Sequence, residues 1–203
     1  MRMTRINPLA SLRRALFCLL TAVTLILPFP PAEAPAQFFE QKDVFGYSEL
    51  DYEKIFKEGL SANGKTLNLS GKKIGDTGLE LLLTQDFLKK VTKLDLRYNK
   101  ISEKGSMLMA QSKVFGKLKS LELKHNYLLD NGALALAQSE GFPNLEMLSL
   151  GWNEIRDAGA LAFADTKTLP KLQKLDLRGN FLSDETKNTL KKYLAHLKSL
   201  KLF

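Results

Sequence analysis

Three ring-bearing residues, Tyr98, His125 and Trp152, recur at intervals of 27 residues. One residue before them, in the same phase, stand Arg97, Lys124 and, a further repeat on, Arg178. Three residues before them stand Asp95, Glu122 and, again further on, Asp176. Regularly spaced rings can grip a partner, because Trp, Tyr and Arg dominate the energetics of binding interfaces. A histidine near carboxylates could do general acid–base work. Carboxylates with a cation two residues on are instead expected to be ion-paired, and exposed pairs of this kind are worth little. No glycine-rich phosphate loop, nucleophile elbow or HExxH motif occurs. The chain is therefore not expected to be an enzyme, and no catalytic residue is assigned.

Other chemistry is bounded by composition. The single cysteine is Cys18, so residues 37–203 contain none, and their only histidines are His125 and His196. Disulfides, thiol nucleophiles, and cysteine- or histidine-based metal sites are excluded from that stretch, and no cofactor or metal is expected. The chain of 203 residues carries a formal charge of +8. From Gln37 onward there are 26 basic against 21 acidic residues, or +5, and only Arg97, Arg156 and Arg178 are arginines. A mild, lysine-rich excess suits solubility and steering toward acidic partners rather than base-reading recognition, so nucleic acid is not an expected partner.

The elements that position these residues follow from one period. Leu67-Asn68-Leu69, Leu94-Asp95-Leu96, Leu121-Glu122-Leu123, Leu148-Ser149-Leu150 and Leu175-Asp176-Leu177 are separated by 27 residues each. Five residues after each first leucine comes Asn99, Asn126, Asn153 or Asn180, with Lys72 in the first repeat. Two further on stands Ile74, Ile101, Leu128, Ile155 or Leu182. An acid follows at nine (Asp76, Glu103, Asp130, Asp157, Asp184) and a glycine at eleven (Gly78, Gly105, Gly132, Gly159), where Thr186 departs. Over six positions in five repeats, 28 of 30 residues fit, which chance does not produce.

The pattern resembles the leucine-rich repeat family, and its length and helical second half resemble the ribonuclease-inhibitor-like subclass. The resemblance spans about Leu67 to Phe203 and implies an α/β fold. That fold is a right-handed leucine-rich-repeat solenoid of about five repeats, with parallel strands on a concave face and helices on the convex one. Each Leu-x-Leu is read as a short strand with one buried face. The asparagines are expected to stack as a hydrogen-bonded ladder, and the acids to cap the helix that each begins. Met107, Leu108, Met109 and Ala110, with Leu134, Leu136 and Ala137, are expected to face inward. Phe115 and Phe142, with Leu88 and Leu169 in equivalent places, are expected to close the core. A 27-residue unit cannot bury its own apolar faces, so neighbours must stack.

Both ends differ from the repeats. Arg2, Arg5, Arg13 and Arg14 precede the apolar run Ala15–Leu27, and Ala34-Pro35-Ala36 offers small residues for cleavage before Gln37. Residues 1–36 thus read as a signal peptide, since 13 residues are short for a bilayer span of roughly 20; an uncleaved membrane anchor is the alternative. The mature chain is expected to be exported, secreted or periplasmic. Residues 37–63 read as an N-terminal helical cap, with Ser48 and Asp51 as a loose capping pair and Leu50, Ile55, Phe56 and Leu60 as its apolar face. Residues 64–203 form the repeat domain. Leu197, Leu200 and Leu202 restart the motif, and Leu202 and Phe203 are expected to leave an apolar strand edge suited to weak homodimerisation.

The expected function is recognition of a protein or peptide on the concave face. Tyr98, His125 and Trp152 would be the core of the site, beside Arg97, Lys124, Arg178, Asp95, Glu122 and Asp176. Gly71 and Gly179 would clear space at either side of the rings. The rival reading is a structural envelope protein that self-associates through its last strand.

Overall fold

The computed structural model describes residues 50–203. Helix α1 (Tyr52–Gly59) is followed by strands β1 (Thr66–Asn68), β2 (Lys93–Asp95), β3 (Ser120–Glu122), β4 (Met147–Ser149), β5 (Lys174–Asp176) and β6 (Ser199–Lys201). Between successive strands run α2 (Gly75–Leu83), α3 (Glu103–Gln111), α4 (Leu129–Ala137), α5 (Asp157–Leu161) and α6 (Asp184–Tyr193). The strands form one parallel sheet in chain order. Leu67, Leu94, Leu121, Leu148 and Leu175 are register partners in turn, and Leu200 extends the row after a shorter return. This is the solenoid of parallel strands and returning helices that the resemblance implies. Residues 1–36, expected to be a signal peptide, and Ser48 lie outside the described residues, among which no helix is long and apolar enough to cross a membrane.

The core is built from two leucine columns. The first leucine of each repeat and the one two residues on are all buried, and Ile74, Ile101, Leu128, Ile155 and Leu182 close them from the turn. Phe115 and Phe142 stack at 5.2 Å between ring centroids, with Leu88 and Leu169 buried at the matching turns. The inward face of α3 is Gly105, Ser106 and Met109, and that of α4 is Gly132, Ala133, Leu136 and Ala137. Met107 and Leu134 are exposed, contrary to expectation, because the helix lies against both neighbours through its smallest residues. At the start, Asp51 caps α1 by accepting the Lys54 amide at 3.0 Å, and Phe56 is buried over the first repeat.

Asparagine side chains of one repeat bind the backbone of the repeat before it. Asn126 Oδ1 accepts the amides of Asn99 and Ile101, both at 3.0 Å, and Asn180 Oδ1 accepts those of Asn153 and Ile155 at 2.9 and 3.1 Å. Asn153 keeps only the donating half of the ladder, Nδ2 to the Leu123 carbonyl at 2.9 Å; its Oδ1 is the one buried side-chain polar atom without a partner among the described residues.

The acids do not cap the helices they begin. Asp76 accepts the amide and hydroxyl of Ser102, one repeat on, at 2.8 and 2.5 Å. Asp130 accepts the amides of Arg156 and Gly159 at 2.7 and 3.0 Å, and Asp157 that of Ser183 at 2.8 Å. Each reaches the first turn of the following helix, where orphan amides and the positive dipole end lie. The amide and hydroxyl of Ser183 and the hydroxyl of Thr186 hold the Asp157 carboxyl below its usual range. Reach of this kind requires close helices, and the regular placing of glycine supplies it: a Cβ at Gly159 would lie 2.7 Å from Asp130 Cα.

The last strand is only in part the apolar edge expected. Leu202 is 6 % exposed, seated in the core column, whereas Phe203 is 74 % exposed, its ring 5.1 and 4.9 Å from the ammonium groups of Lys187 and Lys191.

Candidate functional site

Two groups of side chains flank the strands, and the structure sorts them differently. On the sheet face away from the helices, Asp95 and Arg97 of one repeat form a two-pronged pair, Nε–Oδ1 at 2.9 Å and Nη2–Oδ2 at 2.6 Å. Asp176 and Arg178 repeat that geometry at 3.0 and 2.8 Å. Lys124 skips a whole repeat, its Nζ 3.0 Å from Asp176 Oδ2. The skipped repeat carries only Ser149 and Gly151 in its path, and a Cβ at Gly151 would already touch the Lys124 side chain at 3.7 Å. Burial pushes the Asp176 carboxyl up, but hydrogen bonds from Arg178, Lys124 and the Arg178 amide outweigh it and hold the group at about 2. Glu122 has no ion-pair partner among the described residues. This face is a set of charges that mostly satisfy one another.

The rings sit beyond the strand ends, in the turn that leads to each helix. Tyr98, His125 and Trp152 all have left-handed backbones, with φ of 57°, 55° and 55°. In the outer repeats the same position is glycine, Gly71 at 72° and Gly179 at 71°. A left-handed residue with a Cβ costs about 1–2 kcal/mol. The turn geometry is fixed by cross-repeat hydrogen bonds from the amides at these positions: Tyr98 to the Lys124 carbonyl at 3.1 Å, His125 to Gly151 at 3.0 Å, Trp152 to Arg178 at 2.9 Å. Glycine would satisfy all three, so the rings are present despite the backbone.

The three rings form one stack. Tyr98 and His125 lie 4.2 Å apart at 10°, and His125 and Trp152 lie 4.8 Å apart at 9°. Among the described residues no hydrogen bond joins His125 to Asp95 or Glu122, so the acid–base grouping that the sequence allowed is not assembled. Only one of the flanking glycines clears space as expected. Nothing lies near a Cβ built at Gly71, whereas at Gly179 the indole of Trp152 already occupies that position.

A second column, two residues further along, completes a cleft. It holds Lys73, Lys100, Tyr127, Glu154 and Phe181, with Tyr127 52 % and Phe181 61 % exposed. The cleft between this column and the ring stack has a volume of about 490 Å³. Sequence reasoning passed over this column, although its signal was available: a fixed offset of six residues from the first leucine of each repeat. Among the described residues seven non-glycine residues have left-handed backbones, and six of them (Lys73, Tyr98, Lys100, His125, Trp152 and Glu154) line this one cleft. Strained backbone clusters where a protein binds or reacts. No group of three or more metal-ligating side chains occurs among the described residues.

A Leucine Rich repeat family model matches residues 65–83, 88–110, 117–137 and 143–164, and a second Leucine Rich Repeat model matches residues 171–193. No curated protein matches the chain. The matched segments tile the sheet and the helices strand by strand, and arrays of this type are in general protein-interaction scaffolds without catalytic activity. The chain belongs to the leucine-rich repeat family.

Proposed function

We propose that this chain is an exported binding module that takes a protein or peptide segment in the aromatic cleft beside the strands. The observation that carries the reading is the convergence of six left-handed side-chain-bearing residues on one cleft, at positions where glycine would be cheaper. Backbone cost retained at one place, beside exposed Tyr, Trp and Phe side chains, fits a surface kept for a partner. The charged strand face supports the role less well, since Asp95, Arg97, Lys124, Asp176 and Arg178 already engage one another. Self-association through β6 also has less to support it, because Leu202 belongs to the core. The 27-residue period and the helix in every return favour the ribonuclease-inhibitor-like subclass, and the leader favours export with cleavage before Gln37.

A photo-crosslinking residue at Phe181 tests the site. In its native host, the full-length protein should then crosslink to a partner polypeptide, whereas the same group at Ser149 on the strand face should not. Crosslinking from Ser149 alone would move the site back to the sheet. The N-terminal residue of the exported protein, read by mass spectrometry, tests the leader; full-length chain held in the membrane would replace export with anchoring.

A further inference from the structure

Charge in the cleft is unlike charge on the strand face. Lys73, Lys100 and Glu154 have no ion-pair or side-chain hydrogen-bond partner among the described residues. They are also sorted along it. The two cations occupy the first and second repeats and the acid the fourth, with the ring stack alongside. All three have left-handed backbones, at 55°, 59° and 58°, so each charge is held where a glycine would cost less. Unpaired charges of opposite sign at the two ends of an aromatic-lined cleft define a complementary ligand.

Resting on the reading of this cleft as a binding site, we infer that its ligand is a linear peptide segment with a carboxylate at one end and a cationic side chain at the other, and proline or aromatic residues between. The length follows from the solenoid. Lys73 and Glu154 are three repeats apart, about 14 Å at the strand spacing of about 4.7–4.9 Å. An extended or polyproline chain advances about 3.1–3.4 Å per residue and covers that in about four or five residues. A cleft of about 490 Å³ suits such a segment rather than a folded domain.

The rings point to the same class. Their inner faces are spent on one another, at 4.2 and 4.8 Å, and Gly179 and Arg178 cover the outer face of Trp152, so within the stack only Tyr98 keeps a free face, at the Gly71 end. What the stack offers along its side is a ridge of ring edges, and aromatic-lined grooves of this kind take the preformed polyproline helix with little loss of entropy. Glu154 works against a polyanion, and the two lysines against a polycation.

The test titrates full-length protein with capped five-residue peptides. Two carry mixed charge, Glu-Pro-Tyr-Pro-Lys and its reverse, and two carry like charge, with Glu at both ends or Lys at both ends. Trp152 is the only tryptophan and reports binding directly, with calorimetry as the second readout. One mixed-charge order should bind at least tenfold more tightly than either like-charged peptide. Lys73→Gln with Lys100→Gln should abolish the preference over the Lys-Lys peptide, and Glu154→Gln that over the Glu-Glu peptide. Equal binding of all four, or none at millimolar concentration, overturns the inference. A Tyr98→Gly/Trp152→Gly variant, followed by calorimetry, separates the two levels of failure. Charge-blind binding that this variant loses sinks only the charge rule, whereas binding that it keeps undiminished sinks the cleft as the site.

Discussion

Lys124 reaches over a whole repeat to Asp176, Nζ to Oδ2 at 3.0 Å, and joins Arg178 on the same carboxylate. The contact ties the third repeat to the fifth, beyond the nearest-neighbour stacking that holds a solenoid together. It exists because Ser149 and Gly151 leave the intervening repeat low.

A pH dependence follows. Asp176 titrates at about 2 in the fold, against its ordinary value near 3.8. A depressed folded value means that the stabilisation is complete well above pH 3.8 and is lost as pH falls through about 2. At about 1.4 kcal/mol for each tenfold change in proton affinity, the contribution is at most about 2–3 kcal/mol, and solvent screening of the partly open pair reduces it. Denaturant unfolding at about pH 5 and about pH 2.5, on either side of the unfolded value, should show a smaller loss for Asp176→Asn than for the unaltered chain. Parallel losses in the two proteins would mean that other carboxylates govern acid unfolding.

The ring stack can be separated from the fold by glycine. Tyr98→Gly removes one ring contact, worth about 0.5–1.5 kcal/mol, and relieves a left-handed backbone worth about 1–2 kcal/mol. The two nearly cancel, so the unfolding free energy should move by no more than about 1 kcal/mol, and partner binding should fall. A loss above about 2 kcal/mol would exceed both contributions and make the stack a structural element.

Gly159 is a different kind of glycine. A Cβ there would lie 2.6 Å from Asp130 Oδ1, 2.7 Å from its Cα and 3.0 Å from its carbonyl oxygen. Gly159→Ala should cost about 1–3 kcal/mol, the usual range for overpacking. Adding Asp130→Ala should not restore stability, because the clash includes backbone. Full rescue in the double variant would show that only the side chain was in the way.

The asparagine ladder should be uneven. Asn126 Oδ1 accepts two buried amides, whereas Asn153 Oδ1 accepts none. Asn126→Ala should therefore destabilise by at least about 1–3 kcal/mol more than Asn153→Ala, since stranded buried donors cost that much. Chemical denaturation of the two variants checks the order, and equal losses would show that Asn153 also accepts a bond.

The repeat was legible because it is written in one dimension. A period of 27 places Leu67, Leu94 and Leu121 in one column whatever the side chains between them do, and stacking is the only way such units bury their apolar faces. Strand positions, the buried asparagines and the core phenylalanines all follow from that column. The ring positions were legible for the same reason, as a fixed offset from the first leucine.

Contacts that cross the period were decided by tertiary structure. The spacing of Asp76 and Asp130 suits their own helices, yet each carboxylate binds the next one, because adjacent helices lie close enough for a short side chain to prefer foreign amides. Which charges are spent and which are free depended on reach: Lys124 is long enough to pass two small residues, while Lys73, Lys100 and Glu154 stand on turns that hold them apart. By itself the sequence determined the solenoid and the line of rings. Spacing puts Tyr127 and Phe181 in one column, but only the folded chain set that column opposite the line of rings and made a cleft, because the three-dimensional path of the turn between strand and helix is not carried by residue spacing.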